Sequence, residues 1–137
     1  MKRPGCPAFL DTSYVVRYLT NDPPEMAARA AAVIDSEQPL VLSEMVLLET
    51  AYVLTSVYRV PRAETVDALL ALVQRANLRL ASLGKPRVLA GLSLCRDSAR
   101  YSFTDALLWA QALDSGADRL YSFDRRFPAE GLVILGS

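Results

Sequence analysis

Histidine is absent from this chain of 137 residues, and its two cysteines, Cys6 and Cys95, lie far apart in the sequence. A histidine-based catalytic triad, a paired-histidine ribonuclease and a zinc site of histidine and cysteine ligands are therefore excluded. Cys95 lies in an apolar pattern typical of a small core residue, and nothing in the sequence indicates a disulfide. Any general base must be a carboxylate, a rarer group or a metal-bound water.

Long apolar runs are also lacking. No stretch is long enough to cross a bilayer, and Asp11 interrupts the first apolar run too early for a signal peptide. The expected location is therefore the cytoplasm. Fifteen basic residues balance fifteen acidic ones, so net charge does not decide whether the partner is a nucleic acid. The length suits one domain, which we place at residues 8–137 after an N-terminal extension of residues 1–7.

Short apolar runs alternate with longer helical patterns along the chain. The sequence predicts strands at AFL, PLVL, LRLAS, DRLYSF and LVIL. Asp22 and Ser43 are predicted N-caps, Pro61 lies near the start of a predicted helix, and Gly116 follows the end of another. Short strands separated by helices predict an α/β fold, a three-layer α/β/α sandwich with a central parallel sheet.

Three aspartates fall at or just beyond the ends of apolar runs: Asp11 after AFL, Asp105 after YSFT and Asp124 after LYSF. Open parallel sheets bind ligands beyond the carboxyl ends of their strands, so these positions are candidates for a site. Helix capping is the competing explanation for each aspartate taken singly. Ser102 and Asp105 have the spacing of a capping box.

Glu49 is a fourth candidate, about two turns into the helix that follows the second predicted strand. It shares a face with Met45 and Tyr52 by helical spacing. A glutamate on such an apolar face reaches water, pairs with an arginine or has a functional partner. If the strands are adjacent, the four carboxylates converge and repel one another unless a cation is bound. Mg²⁺ or Mn²⁺ suits such a site, because hard cations take oxygen ligands and bridge carboxylates to substrate phosphates.

Hydroxyl groups lie beside these acids. Thr12 and Ser13 follow Asp11 and offer donors to a metal-bound water or a phosphate. Ser122 lies two residues before Asp124, where it can orient that carboxylate. Ordinary capping or turn bonding is the competing explanation for all three hydroxyls.

The chain resembles PIN-domain ribonucleases, in particular VapC-type toxins of toxin–antitoxin pairs, in FLDTSYVVRYL, the glutamate of SEMVLLETAYVL, SFTDALLWAQA and LYSFDRRF. The resemblance extends over nearly the whole chain. It implies an α/β/α sandwich, an endoribonuclease that uses Mg²⁺ or Mn²⁺, a homodimer, and a cognate antitoxin whose tail covers the active site. By position, the catalytic and metal-binding acids would be Asp11, Glu49, Asp105 and Asp124, with Thr12 or Ser13 assisting.

Three arginines are candidates for contact with the RNA backbone: Arg17, Arg125 and Arg126. An exposed arginine is usually only solvated, which is the competing explanation. Many relatives have a further acid at the position of Ser102 and a threonine at that of Ser122, so the number of metal ions stays open. The resemblance implies in-line attack by a metal-activated water, which leaves a 5′-phosphate and a 3′-hydroxyl.

Two other functions stay open at this point. FLDTS also resembles the nucleophile loop of haloacid-dehalogenase phosphatases, although Ser13 stands where those enzymes need a second aspartate. The other alternative is a non-catalytic RNA-binding or protein-interaction module on the same fold, since a fold does not establish activity. Metal binding, RNA cleavage and hydrolysis of a small phosphoester distinguish the three functions.

Overall fold

The computed structural model describes residues 6–136, in which six helices and five short strands are formed. In chain order these are β1 (Ala8–Phe9), α1 (Thr12–Thr20), α2 (Pro24–Ile34), β2 (Leu40–Leu42), α3 (Glu44–Ser56), α4 (Arg62–Val73), β3 (Leu78–Leu80), α5 (Lys85–Leu94), α6 (Phe103–Asp114), β4 (Arg119–Tyr121) and β5 (Val133–Leu135). Each strand lies within a segment that the sequence predicts as a strand. Residues 1–5 of the expected N-terminal extension and Ser137 lie outside the described residues, which include Cys6 and Pro7.

The starts of the helices follow from their local sequence, with one exception. Ser43 caps α3 and Ser102 caps α6, each by accepting a backbone hydrogen bond, at 3.2 and 3.0 Å. Asp22 does not cap α2 as predicted, because Pro23 occupies the N-cap without a side-chain hydrogen bond and Pro24 begins the helix. Proline suits a helix start, since its φ is fixed near the helical value and it has no N–H to satisfy.

The strands pair in parallel, as predicted, within two sheets. In the first sheet β2 lies between β1 and β3, and in the second β4 pairs with β5. The α/β class with parallel strands is therefore confirmed. The difference from a single central sheet is that β1 and β4 are not hydrogen-bonded neighbours. Each strand has only two or three residues, so the packing of helices on the strands determines where each sheet lies.

The buried side chains form a larger and a smaller hydrophobic cluster, and α6 contributes to both. The larger cluster is formed by α1 to α5 with β1 to β3, and Phe103 and Leu107 of α6 belong to it. Trp109 of the same helix belongs to the smaller, C-terminal cluster, together with Phe127 and Leu132. In residues 6–136, none of the helices is long and apolar enough to span a membrane.

Candidate active site

Asp11 is the N-cap of α1, at the point where the chain leaves β1. Its Oδ2 accepts hydrogen bonds from the Ser13 hydroxyl at 2.8 Å and from the Ser13 backbone N–H at 3.4 Å. These bonds, with a further one from the Thr12 backbone, hold the pKa of Asp11 below its usual value. The capping role considered for Asp11 is thus confirmed. The carboxylate is nevertheless exposed and ionised, so it remains accessible to a ligand.

Glu49 of α3 lies next to the start of α1. One of its carboxylate oxygens accepts a hydrogen bond from the hydroxyl of Thr12, the residue that follows Asp11. The two acids therefore lie on either side of one threonine, on helices that pack together. Met45 is 79% exposed and Tyr52 is 42% exposed, so the face of α3 that carries Glu49 is open to solvent.

Asp105 lies in the first turn of α6 and is half-buried. Its backbone N–H donates to Ser102, which fixes this turn at the helix start. The hydroxyl oxygens of Tyr52 on α3 and Thr104 on α6 lie 3.0 Å apart. Tyr52 is three residues from Glu49 and Thr104 precedes Asp105, so this contact joins the helices that carry the two acids.

Asp124 lies in the turn after β4. Its Oδ1 accepts the backbone N–H of Arg126 at 2.8 Å, and its own N–H donates to the Ser122 hydroxyl at 3.0 Å. Ser122 thus holds the backbone of Asp124, whereas the sequence suggested that it orients the carboxylate. The turn contacts the loop before α6, where Arg126 donates to the carbonyl of Arg100 at 3.5 Å. Because β4 and β1 are not hydrogen-bonded neighbours, pairing between these two strands does not position Asp124 relative to Asp11.

A comparison with protein families matches residues 8–130 to the PIN domain. The chain belongs to the PIN-domain family. The resemblance of its four motifs is confirmed at this level, and the α/β fold agrees with it. The structure is also similar to that of Mycobacterium tuberculosis VapC20, a Sarcin-Ricin loop cleaving toxin, with 24% identity over 92% of this chain and 96% of that chain and a TM-score of 0.43. A comparison with curated proteins finds no match.

The donors of this PIN domain fit a divalent cation best at Asp11 and Glu49. Both side chains are exposed and offer only oxygen donors, and the hydroxyls of Thr12 and Ser13 lie beside them. Mg²⁺ is commonly held by one or two carboxylates, with waters and substrate phosphates completing its shell. Among the residues that the structure describes, no group of three or more acidic or cysteine side chains is placed so that it could hold a metal ion. Of the four predicted acids, Asp11 and Glu49 are linked through Thr12, and Asp105 follows Thr104, whose hydroxyl contacts Tyr52 on the helix of Glu49. Asp124 lies in the turn after β4.

The three arginines predicted to contact RNA have different surroundings in the PIN domain. Arg17 is half-buried, and its Nη1 donates to the Tyr58 hydroxyl at 3.3 Å and to the carbonyl of Asp22 at 3.4 Å. It therefore ties α1 to neighbouring segments of the protein. Arg125 and Arg126 are exposed in the turn that holds Asp124 and are open to a ligand.

Sequence reasoning missed two exposed aromatic residues beside Asp124. Tyr121 is 77% exposed and Phe123 is 90% exposed, although DRLYSF is typical of a strand with buried apolar residues. The spacing of the sequence indicated this exposure. Side chains alternate along a strand, so Arg119 lies on the same face as Tyr121 and Phe123. An arginine on the same face favours solvent over a core.

Proposed function

We propose that this PIN domain is a metal-dependent endoribonuclease that acts as the toxin of a toxin–antitoxin pair. Membership of the PIN-domain family supports a nuclease. The observation that carries the proposal is the pair of exposed carboxylates, Asp11 and Glu49, on either side of Thr12. Catalysis cannot rely on histidine, since the chain has none.

Asp11 and Glu49 would hold Mg²⁺ or Mn²⁺, with Asp105 and Asp124 as further acids of the site. When bound, such an ion supplies charge stabilisation at the scissile phosphate and lowers the pKa of a water. Ser13 keeps Asp11 ionised through its two hydrogen bonds. Thr12 fixes the carboxylate of Glu49, so both acids are held in one arrangement before the substrate arrives.

The proposed partners follow from the same function. RNA would be the substrate, a cognate antitoxin the inhibitor, a homodimer the assembly, and the cytoplasm the location. A groove between α3 and α6 is lined by Met45, Leu48, Leu107 and Leu108. This apolar surface, adjoining Glu49, supports docking of an apolar segment from such a protein partner.

The test is cleavage of a long structured RNA by the purified protein with Mg²⁺, with Mn²⁺ and with EDTA. Glu49→Gln removes one carboxylate of the pair, and Glu37→Gln makes the same change at an exposed position before β2, beyond the opposite end of the strand. We expect metal-dependent cleavage that Glu49→Gln abolishes and Glu37→Gln leaves unchanged.

The products test the mechanism. Attack by water leaves a 5′-phosphate and a 3′-hydroxyl, because the 2′-hydroxyl of the RNA is not used. A 2′,3′-cyclic phosphate would contradict the proposed mechanism. RNA that is bound but not cut with either metal would contradict the nuclease and favour a binding module.

A further inference from the structure

Two exposed aromatic side chains lie at the end of β4. Tyr121 and Phe123 are two residues apart, and the N–H of Ser122 between them donates to the carbonyl of Leu135 at 2.8 Å. This bond continues the pairing with β5, so the backbone stays extended and the side chains of Tyr121 and Phe123 point to the same face. With exposures of 77% and 90%, these rings contribute little to the core.

Arginines lie on both sides of this aromatic pair. Arg119 precedes it on the same face, and its ion pair with Asp118 is loose, at 3.6 Å between two exposed side chains. On the other side are Arg125, Arg126 and Arg100, which the hydrogen bond from Arg126 to the Arg100 carbonyl keeps together. Within residues 6–136, these three arginines form no ion pair with an acidic side chain.

We propose that Tyr121 and Phe123 form a base-stacking platform for single-stranded RNA, with the flanking arginines contacting its phosphates. Unpaired bases stack on exposed aromatic rings, and guanidinium groups match the geometry of phosphate. The bases of a duplex are already stacked on one another, so the platform discriminates against double-stranded RNA. The inference rests on the proposed ribonuclease function and adds to it the form of RNA that is recognised.

The position of the platform favours RNA over a second copy of the chain. Phe123 immediately precedes Asp124, so a base held on the ring places the neighbouring phosphate beside a proposed catalytic acid. Two copies that met through this surface would bring their arginines against one another, and like charges across an interface are unfavourable. The charge of the patch thus complements a polyanion and opposes self-association.

Phe123→Trp places a fluorescent side chain on the platform, so that RNA binding there can be followed by tryptophan emission. The native tryptophan, Trp109, is the only one in the chain and is buried, so the emission of an exposed tryptophan at position 123 is distinguishable from it. The probe is an unstructured RNA oligonucleotide of mixed sequence, added in EDTA so that it is not cut. Val57→Trp is the matched control, because Val57 is exposed after the far end of α3. We expect quenching at position 123 by the single strand, and no quenching by the same strand in a duplex or at position 57.

Binding measured by fluorescence anisotropy in EDTA gives the second readout. Loss of a stacked ring weakens single-strand binding by about tenfold, which we expect for Phe123→Ala, with Phe123→Leu similarly weak and Phe123→Trp preserved. Equal quenching at positions 123 and 57, or none at position 123, would overturn the platform. A shift in emission that depends on protein concentration without RNA would assign the surface to self-association and also overturn it.

These measurements separate the platform from the nuclease on which it rests. Quenching and anisotropy are recorded without metal and need no cleavage. If the wild-type protein cuts RNA but Phe123→Trp is not quenched, the platform fails and the nuclease stands. If quenching is specific and the wild-type protein never cuts RNA, the nuclease fails and the platform stands as a binding site.

Discussion

The hydroxyl of Thr12 donates a hydrogen bond to the carboxylate of Glu49, a residue 37 positions further along the chain. Thr12 also follows Asp11, which caps the same helix. The Thr12 side chain therefore links Glu49 of α3 to the start of α1, where Asp11 is the N-cap. The spacing of these acids depends on this contact between α1 and α3.

Removing the Thr12 hydroxyl should weaken metal binding and RNA cleavage without unfolding the protein. Thr12→Val keeps the shape of the side chain and loses the donor, whereas Thr12→Ser keeps the donor. We expect Thr12→Val to lower RNA cleavage by about 10- to 100-fold, the range seen when a residue that orients metal ligands is lost. Cleavage rates measured over a Mn²⁺ titration should show that Thr12→Val needs more metal and that Thr12→Ser resembles the wild type. Full activity of Thr12→Val at low Mn²⁺ would exclude an orienting role.

Ser13→Ala should raise the pKa of Asp11, because the Ser13 hydroxyl is the largest cause of its lowered value. An acid whose pKa is lowered on folding stabilises the protein above its unfolded-state pKa and loses that contribution as pH falls through its folded-state pKa. The variant should therefore lose some stability at neutral pH, and its Asp11 should take up a proton at a higher pH. Carbon NMR of the Asp11 carboxyl group during an acid titration measures this directly. Ser93→Ala, which removes an exposed hydroxyl on α5, should leave the Asp11 titration unchanged, and an unchanged titration in Ser13→Ala would refute the assignment.

Gly91 lies where α5 and α6 approach each other closely. A Cβ at this position would lie 3.0 Å from the carbonyl oxygen of Ala106 and 3.4 Å from the Cβ of Ala110. Alanine favours a helix over glycine by about 1 kcal/mol, but overpacking against backbone costs about 1–3 kcal/mol. Gly91→Ala should therefore lower the free energy of unfolding, as measured by urea denaturation.

Gly84→Ala is the matched control for this change. Its Cβ would meet only the Cδ of Pro86, at an ordinary 3.7 Å. We expect its stability to stay within about 1 kcal/mol of the wild type, the typical effect of a change at a helix N-cap. A Gly91→Ala protein more stable than the wild type would show that the helices can separate at no cost.

The two cysteines should react at very different rates. Cys6 is exposed and Cys95 is buried, and burial raises the pKa of the Cys95 thiol, which lowers the fraction of reactive thiolate. Ellman's reagent should modify one thiol quickly in the native protein and the second only after unfolding. Cys6→Ser should abolish the fast phase, and two fast-reacting thiols in the wild type would contradict the burial of Cys95.

Features that depend on a few neighbouring residues could be predicted from the sequence. Ser43 and Ser102 cap their helices as expected, and Gly116 adopts a positive φ of 85° just after α6. Caps and chain reversals are determined within about one helical turn, so the sequence of that turn contains the information. Asp22 is the exception, because the two prolines after it start α2 by backbone restriction instead of by a side-chain cap.

Features that depend on how elements pack could not be predicted in the same way. Helical spacing puts Met45 and Tyr52 on the face of Glu49, but it does not say that this face lies in solvent. The bond between Thr12 and Glu49 depends on α1 packing on α3. The division of the strands into two sheets likewise depends on which helices cover each strand, since such short strands have few ladder hydrogen bonds of their own.

Helix α6 contributes side chains to both hydrophobic clusters, and the two clusters differ in size. The C-terminal cluster is the smaller one, and the indole N–H of Trp109 joins α6 to it by donating to the carbonyl of Glu130 at 2.8 Å. Regions with less buried apolar surface open at a lower free energy than the whole molecule. Amide protons of β4 and β5 should therefore exchange with deuterium sooner than those of α3 and α4. We therefore expect Asp124 to belong to a cooperative unit that opens before the one that holds Asp11 and Glu49, with the lone tryptophan at the boundary between the two.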